Sequence, residues 1–190
     1  MDTINKKQAI GLLFLFGFSQ VLICIYAAQV LTPKYSTWND WISDLGIGPA
    51  AAIFNTSMIL LGICALAAIC LLQKELDKGE LTAITLAAIG AVAIGIFPES
   101  NPVPHYMASM TVFIAGPIAA ILTSRRVKGW MKIAFIALGI TALFFISLSI
   151  SDFAMNTRFI TAGKGFFERL VAYPVIIWGI LFGGALFKKQ

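Results

Sequence analysis

The sequence predicts an all-α fold, a single integral membrane domain over residues 1–190 built as a six-transmembrane-helix bundle. Three observations predict it. Hydrophobic residues make up 59% of the chain and charged residues only 12%, where soluble domains average about 45–50% and about 25%. Apolar runs recur along the whole length, and a helix needs about 20 such residues to cross a hydrocarbon core about 30 Å thick. Basic residues, finally, flank these runs rather than forming a folded basic surface.

The first span runs from Gln8 to Leu31, behind Lys6 and Lys7. It is too long for the apolar core of a cleaved signal peptide, which has about 7–15 residues. The second runs from Pro49 to Leu72, and the third, Leu81 to Phe97, is short but carries no charge. The fourth, from Tyr106 to Leu122, contains Pro117, which neighbouring helices can accommodate in lipid. Met131 to Ile150 and Leu170 to Phe187 complete the set. Cys24, Cys64 and Cys70 all fall inside spans, with neither a disulfide framework nor metal-ligand spacing, and read as packing residues.

An even number of spans puts both termini on one side. That side collects Lys6, Lys7, Lys74, Lys78, Arg125, Arg126, Lys128, Lys132, Lys188 and Lys189, whereas the other has Lys34, Arg158, Lys164 and Arg169. The positive-inside rule then places both termini in the cytoplasm of a cell-membrane protein. The net charge of +5 reads as an orientation signal, not as a nucleic-acid footprint.

The acids of the opposite side concentrate in three connections. The stretch "YSTWNDWISDLG", residues 35–46, places Asp40 and Asp44 four apart, a spacing at which like charges on a helix repel by about 0.2–0.5 kcal/mol. Trp38, Trp41, Ile42 and Leu45 follow helical spacing, so the stretch is predicted to be a short interfacial helix between spans 1 and 2, with Asn39, Asp40, Ser43 and Asp44 on its polar face. Gly46 and Gly48 permit a tight turn that holds Asp44 near the start of span 2. Glu99 and His105 follow in "FPESNPVPHY", and Asp152, Arg158, Glu168 and Arg169 lie between spans 5 and 6. The polar residues inside spans share this bias: Gln29, Asn55, Thr56, Ser57, Ser109, Ser147, Ser149 and Tyr173 all lie toward the outer end. Polar groups in hydrocarbon are costly unless they face partners or a wet cavity. The set therefore predicts an outward-facing polar, acidic pocket, with bonds between helices as the plainer alternative.

Within that pocket Asp44, His105 and Glu168 are the candidate catalytic groups, and Asn39, Ser43, Asn55, Glu99, Asp152, Arg158 and Arg169 the candidate binding groups. Arg169 at a helix start opposes the helix dipole, so a carboxylate such as Asp44 or Asp152, or a lipid phosphate, is its expected partner. A divalent metal held by His105 with Asp44, Asp152, Glu99 or Glu168 is a further candidate, calcium or magnesium fitting an oxygen-rich set better than zinc.

"YSTWNDWISDLG" with Phe54 and Asn55, "GIFPE" with His105 after it, then "GFFERL" and Trp178, resembles the family called domain of unknown function 998 over nearly the whole chain. The segment from "ISDLGIGP" to Phe54 and Asn55 is also similar, more distantly, to the DRAM/Frag/Sfk membrane proteins. The resemblance implies six helices with cytoplasmic termini and points to Asn39, Ser43, Asp44, Gly46, Asn55, Glu99, His105, Glu168 and Arg169. It supplies no reaction; the second group is tied to lipid remodelling, phosphoinositide signalling and autophagy.

Binding of a lipid headgroup is the leading functional expectation, with membrane lipids as partners and no nucleic acid. A lipid-acting hydrolase or transferase, metal-dependent or not, is the alternative, although no Gly-x-Ser-x-Gly or His-Glu-x-x-His sequence supports it. Transport ranks last, since the deepest polar candidates are only Ser19, Gln20 and Thr141. Small-residue pairs Ala91/Gly95 and Gly179/Gly183 predict close helix contacts, within one bundle or between copies as a homo-oligomer.

Overall fold

The computed structural model of the chain describes residues 5–155 and 163–188. Among these residues there is no strand, and six helices are long and apolar enough to cross a membrane. They are α1 (Lys6–Leu31), α2 (Ala51–Leu72), α3 (Lys78–Ile96), α4 (Pro102–Thr123), α5 (Trp130–Met155) and α6 (Lys164–Lys188). Large apolar side chains such as Ile23 and Ile133 are 66% and 71% exposed, an outward face suited to lipid rather than water.

The helices form a ring in which each packs on its sequence neighbours and α6 returns to α1. α5 is the least buried and sits outside, against α4 and α6. The α1–α6 seam holds an aromatic column. Phe14 stacks on Phe18 at 5.9 Å, Trp178 on Phe182 at 5.7 Å, and Phe14 meets Phe182 edge-on at 5.2 Å. Such pairs contribute about 0.5–1.5 kcal/mol each beyond the area they bury. The buried Trp178 indole donates to Thr123 Oγ1 at 3.0 Å, and that hydroxyl donates back to Ala119 O at 2.7 Å, so no polar atom of the pair is left dry.

Glycine lets the seam close. A Cβ on Gly183 would lie 2.7 Å from Leu15 N, and one on Gly11 would lie 2.6 Å from Phe187 N. Gly179 packs on the Phe18 ring, and Gly95 packs on Asn55 and Ile59 of α2. The predicted close contacts are thus made inside one chain. Gly179 and Gly183 in particular pack against α1 of the same chain.

Four predicted boundaries also change. α6 begins at Lys164, so Glu168 and Arg169 lie inside it rather than at its start, and Asp152 belongs to α5 rather than to a connection. His105 sits in the first turn of α4, which opens with Pro102 at its N-terminus, where a missing N–H costs nothing. The third span begins earlier than its apolar run, because Asp77 and Glu80 close a reciprocal cap, each side chain accepting the other's amide at 3.0 Å.

The interfacial helix expected over residues 35–46 is also corrected: the segment is a run of turns ending in one 3-10 turn, Ser43–Gly46. The reason lies in its amides. Ser36 N donates to the Asp40 carboxylate at 2.7 Å, Trp41 N to the Asp44 carboxylate at 2.7 Å, and Ile42 N to Glu168 Oε2. Side chains take the donors a helix would use, while Ile42 and Leu45 bury into the bundle end.

Candidate functional site

We call the bundle end bearing this segment and the α3–α4 connection the loop face. Here three stretches distant in sequence meet. Ile42 N donates to Glu168, and Ser43 Oγ donates to Glu99 Oε2 at 3.3 Å. His105 is buried, its Nδ1 2.8 Å from Phe97 O. A carbonyl only accepts, so Nδ1 carries a proton, and Nε2 pairs with Ser109 Oγ at 3.3 Å.

Below these groups lies an internal cavity of about 90 Å³ with apolar walls that include Phe18, Met58, Leu61 and Trp178. It is framed by α1, α2, α3, α4 and α6, with no α5 side chain. A wider cleft of about 630 Å³ opens beside the first turns of α4, past Trp41, Val103, Tyr106 and Met107. Ser43, His105, Ser109, Phe113 and Glu168 line both. The two share this rim, the apolar interior lying behind a polar collar. Deeper down α4 and α6 meet, Gly116 facing Val175 and Trp178 reaching Thr123.

The collar is acidic. The Asp44 carboxylate lies 3.8 Å from Lys164 Nζ, and that ammonium sits 5.4 Å from the Trp41 ring centroid. Burial, a hydrogen bond to Asp44 and the charge of that neighbour push the Glu99 carboxyl up to about 7, against weaker opposition from Ser43 and Lys164. Behind the collar, burial pushes Tyr35 up to about 12, outweighing the hydrogen bond and charge of Arg169.

The sign of the Glu99 effect gives a first expected result. The folded chain holds this proton more tightly than the unfolded chain, so the group stabilises the fold fully below pH 4.5 and loses that contribution as pH rises through about 7. Glu99→Gln should flatten the slope of thermal stability between pH 5 and pH 8, roughly the window between the two values. Unfolding in detergent at several pH values checks this; an unchanged slope would place its cause elsewhere.

A family model described as "Protein of unknown function (DUF998)" matches residues 15–185. The chain belongs to the DUF998 family. Comparison with curated proteins and with solved structures gave no significant match.

In this DUF998 protein, Ser43, Glu99, His105 and Glu168 come together as the sequence leads one to expect, with Asp44 at their edge through Glu99 and Lys164. Asn39 is exposed and lines neither cavity. Asn55 lies behind the site, donating to Gly46 O at 2.9 Å. Gly46 is needed for that approach, since a Cβ would lie 2.7 Å from Asn55 Oδ1; neither Gly46 nor Gly48 takes a positive φ. Asp152, on α5, is not a lining residue, and Arg158 falls outside the described residues.

Arg169 corrects the expected pairing with an aspartate. Its Nη2 donates to the Tyr35 hydroxyl at 2.6 Å, and Nη1 donates to the carbonyls of Gly165 at 2.6 Å and Asp40 at 3.3 Å. Backbone oxygens and a phenol, not the carboxylates of Asp40 or Asp44, hold this guanidinium. Among the described residues no group of three or more His, Cys, Asp or Glu side chains is placed to hold a metal ion.

Of the span polar residues expected in the pocket, only Ser109 lines it. Ser57, Ser147 and Ser149 donate to carbonyls of their own helices, and Gln20 ties α1 to Ser57 O at 2.9 Å. Only the Gln20 contact is a bond between helices, the plainer alternative; the three serines are each satisfied within their own helix. Two features were missed. Tyr35 opens the quoted stretch, but nothing in its spacing points to Arg169. At the opposite, terminal face, buried Glu80 receives Arg126 through Nε at 2.9 Å and through Nη2, beside Arg125 and Asp77 at 2.6 Å. The Asp77-x-x-Glu80 spacing of a helix cap was the available signal.

Proposed function

We propose that this protein binds a membrane lipid, with an acyl chain in the apolar cavity and the headgroup in the collar of Ser43, Glu99, His105 and Glu168. The observation that carries the reading is the lining shared by cavity and cleft, which supports reading them as one amphipathic funnel. Binding sites of this kind are mostly apolar with a few placed polar groups. The cleft opens beside exposed Val103, Tyr106 and Met107, so a lipid can enter sideways between α4 and the loop segment without crossing water. The excess of Lys and Arg at the terminal face supports cytoplasmic termini and a funnel opening on the outer side of the cell membrane.

Mass spectrometry of what stays bound after gentle extraction tests this. Wild type should retain a defined lipid that Ala172→Phe, which fills the cavity wall, loses while its helical content is unchanged. Identical lipid profiles in the two proteins would remove the reading.

A further inference from the structure

The chemistry of the collar narrows the ligand. It is rich in carboxyl oxygens, those of Glu99 and Glu168, with Asp44 bonded to Glu99 behind them. The three acids lie within electrostatic reach of one another. Among the described residues two cations approach them. Lys164 is placed on Asp44, and the Arg169 guanidinium is drawn to the far side of its helix turn by Tyr35 and two carbonyls and lines neither cavity. Among the described residues, a phosphate or carboxylate headgroup entering the cleft would therefore meet this acidic cluster with Lys164 and Arg169 already engaged, which is unfavourable in a partly buried site.

The mouth also shows what it accepts. The Lys164 ammonium sits between the Asp44 carboxylate and the Trp41 ring, and the same Trp41 ring lines the cleft. A carboxylate beside an aromatic face is the arrangement that recognises ammonium groups. Tyr106, half exposed along the cleft, adds a second ring.

We propose that the funnel selects an amphiphile with an ammonium head and an apolar chain, the head between Glu99, Glu168 and Trp41 and the chain directed toward Trp178. This rests on the lipid-binding reading and specifies its ligand. The apolar part points inward because the interior walls are apolar and the polar groups sit at their rim. Trp178 lies ten residues beyond Glu168 on α6, about 15 Å deeper, and forms part of the cavity wall.

That placement makes Trp178 a reporter. In a variant with Trp38, Trp41 and Trp130 changed to Phe, which keeps a ring at position 41, Trp178 is the sole tryptophan. In nanodiscs of zwitterionic lipid it would be titrated with single-chain probes brominated at the tail, carrying an ammonium, hydroxyl, carboxylate or phosphate head. The ammonium probe should quench Trp178 at a mole fraction about tenfold lower than the hydroxyl probe, the gain of a charge-assisted contact, with the anionic probes weaker still. Glu168→Gln and, independently, Glu99→Gln should each shrink the preference for ammonium over hydroxyl.

Equal or tighter quenching by the hydroxyl, carboxylate or phosphate probe would overturn the ammonium assignment while leaving lipid binding intact. If no probe quenches Trp178 more in this protein than in the same protein carrying Ala172→Phe, the cavity takes no chain and both readings fall together.

Discussion

Replacing Arg126 with alanine should destabilise the protein by about 3 kcal/mol, read as a fall in the unfolding midpoint in detergent. The Glu80 side chain is only 2% exposed, whereas that of Arg126 is 25% exposed. Arg126 engages both carboxylate oxygens of Glu80, one of which also accepts the Asp77 amide at 3.0 Å. Removing the arginine leaves a buried carboxylate short of its main counter-charge, with only Arg125 Nη2 at 3.9 Å to compensate. Glu80→Gln should cost less, about 1 kcal/mol, because glutamine can still accept the cap hydrogen bond and the partly exposed guanidinium can turn to water. Arg126→Lys should fall between the two, since an ammonium cannot make the forked contact. Asp77 belongs to the same cluster, and the Glu80 amide together with the charge of Arg125 holds its carboxyl below the usual range. A larger loss for Glu80→Gln than for Arg126→Ala would mean that the buried carboxylate is not the costly partner.

Gly183→Val should destabilise by at least about 1–3 kcal/mol, the usual cost of overpacking, whereas Gly184→Ala one residue later should be neutral or stabilise by up to about 1 kcal/mol. A Cβ at Gly183 would lie 2.7 Å from Leu15 N, 2.9 Å from Gly11 O and 2.9 Å from Phe14 Cβ. Two of these are backbone atoms that cannot rotate aside, so α1 and α6 must move apart and the aromatic column between them loosens. Gly184 has no heavy atom within 4 Å of its would-be Cβ. There alanine adds only helix propensity. Thermal unfolding of the two variants side by side decides the matter, and equal midpoints would show that the seam is not closed by backbone contact.

The six helices were legible because hydrocarbon demands long apolar runs, and such runs leave few other readings. The meeting of Ser43, Glu99, His105 and Glu168 was legible for a related reason: polar groups excluded from the bilayer collect at one end of the bundle. What those groups do there was less legible. Ser147 and Ser149 look like pocket residues in a sequence, yet a hydroxyl one turn from a free carbonyl satisfies itself locally. Arg169 was paired with an aspartate because charge suggests charge, but its position was settled by the nearest oxygens, which belong to Tyr35 and the backbone. Glu80 and Arg126 were counted only by sign and side, and the burial that makes them costly exists only once α3 and α4 pack. The turns over residues 35–46 escaped for the same reason. Their helical periodicity is real, but Glu168, more than a hundred residues away, supplies the acceptor that diverts an amide.

The ring is closed by contact between α1 and α6, the first and last helices of the described chain. During synthesis, therefore, the inner faces of the earlier helices stand bare to the surrounding bilayer until the final one arrives. Phe18, Met58 and Leu61 are solvated by hydrocarbon tails throughout that interval, and assembly must either expel the last tail or fold around it.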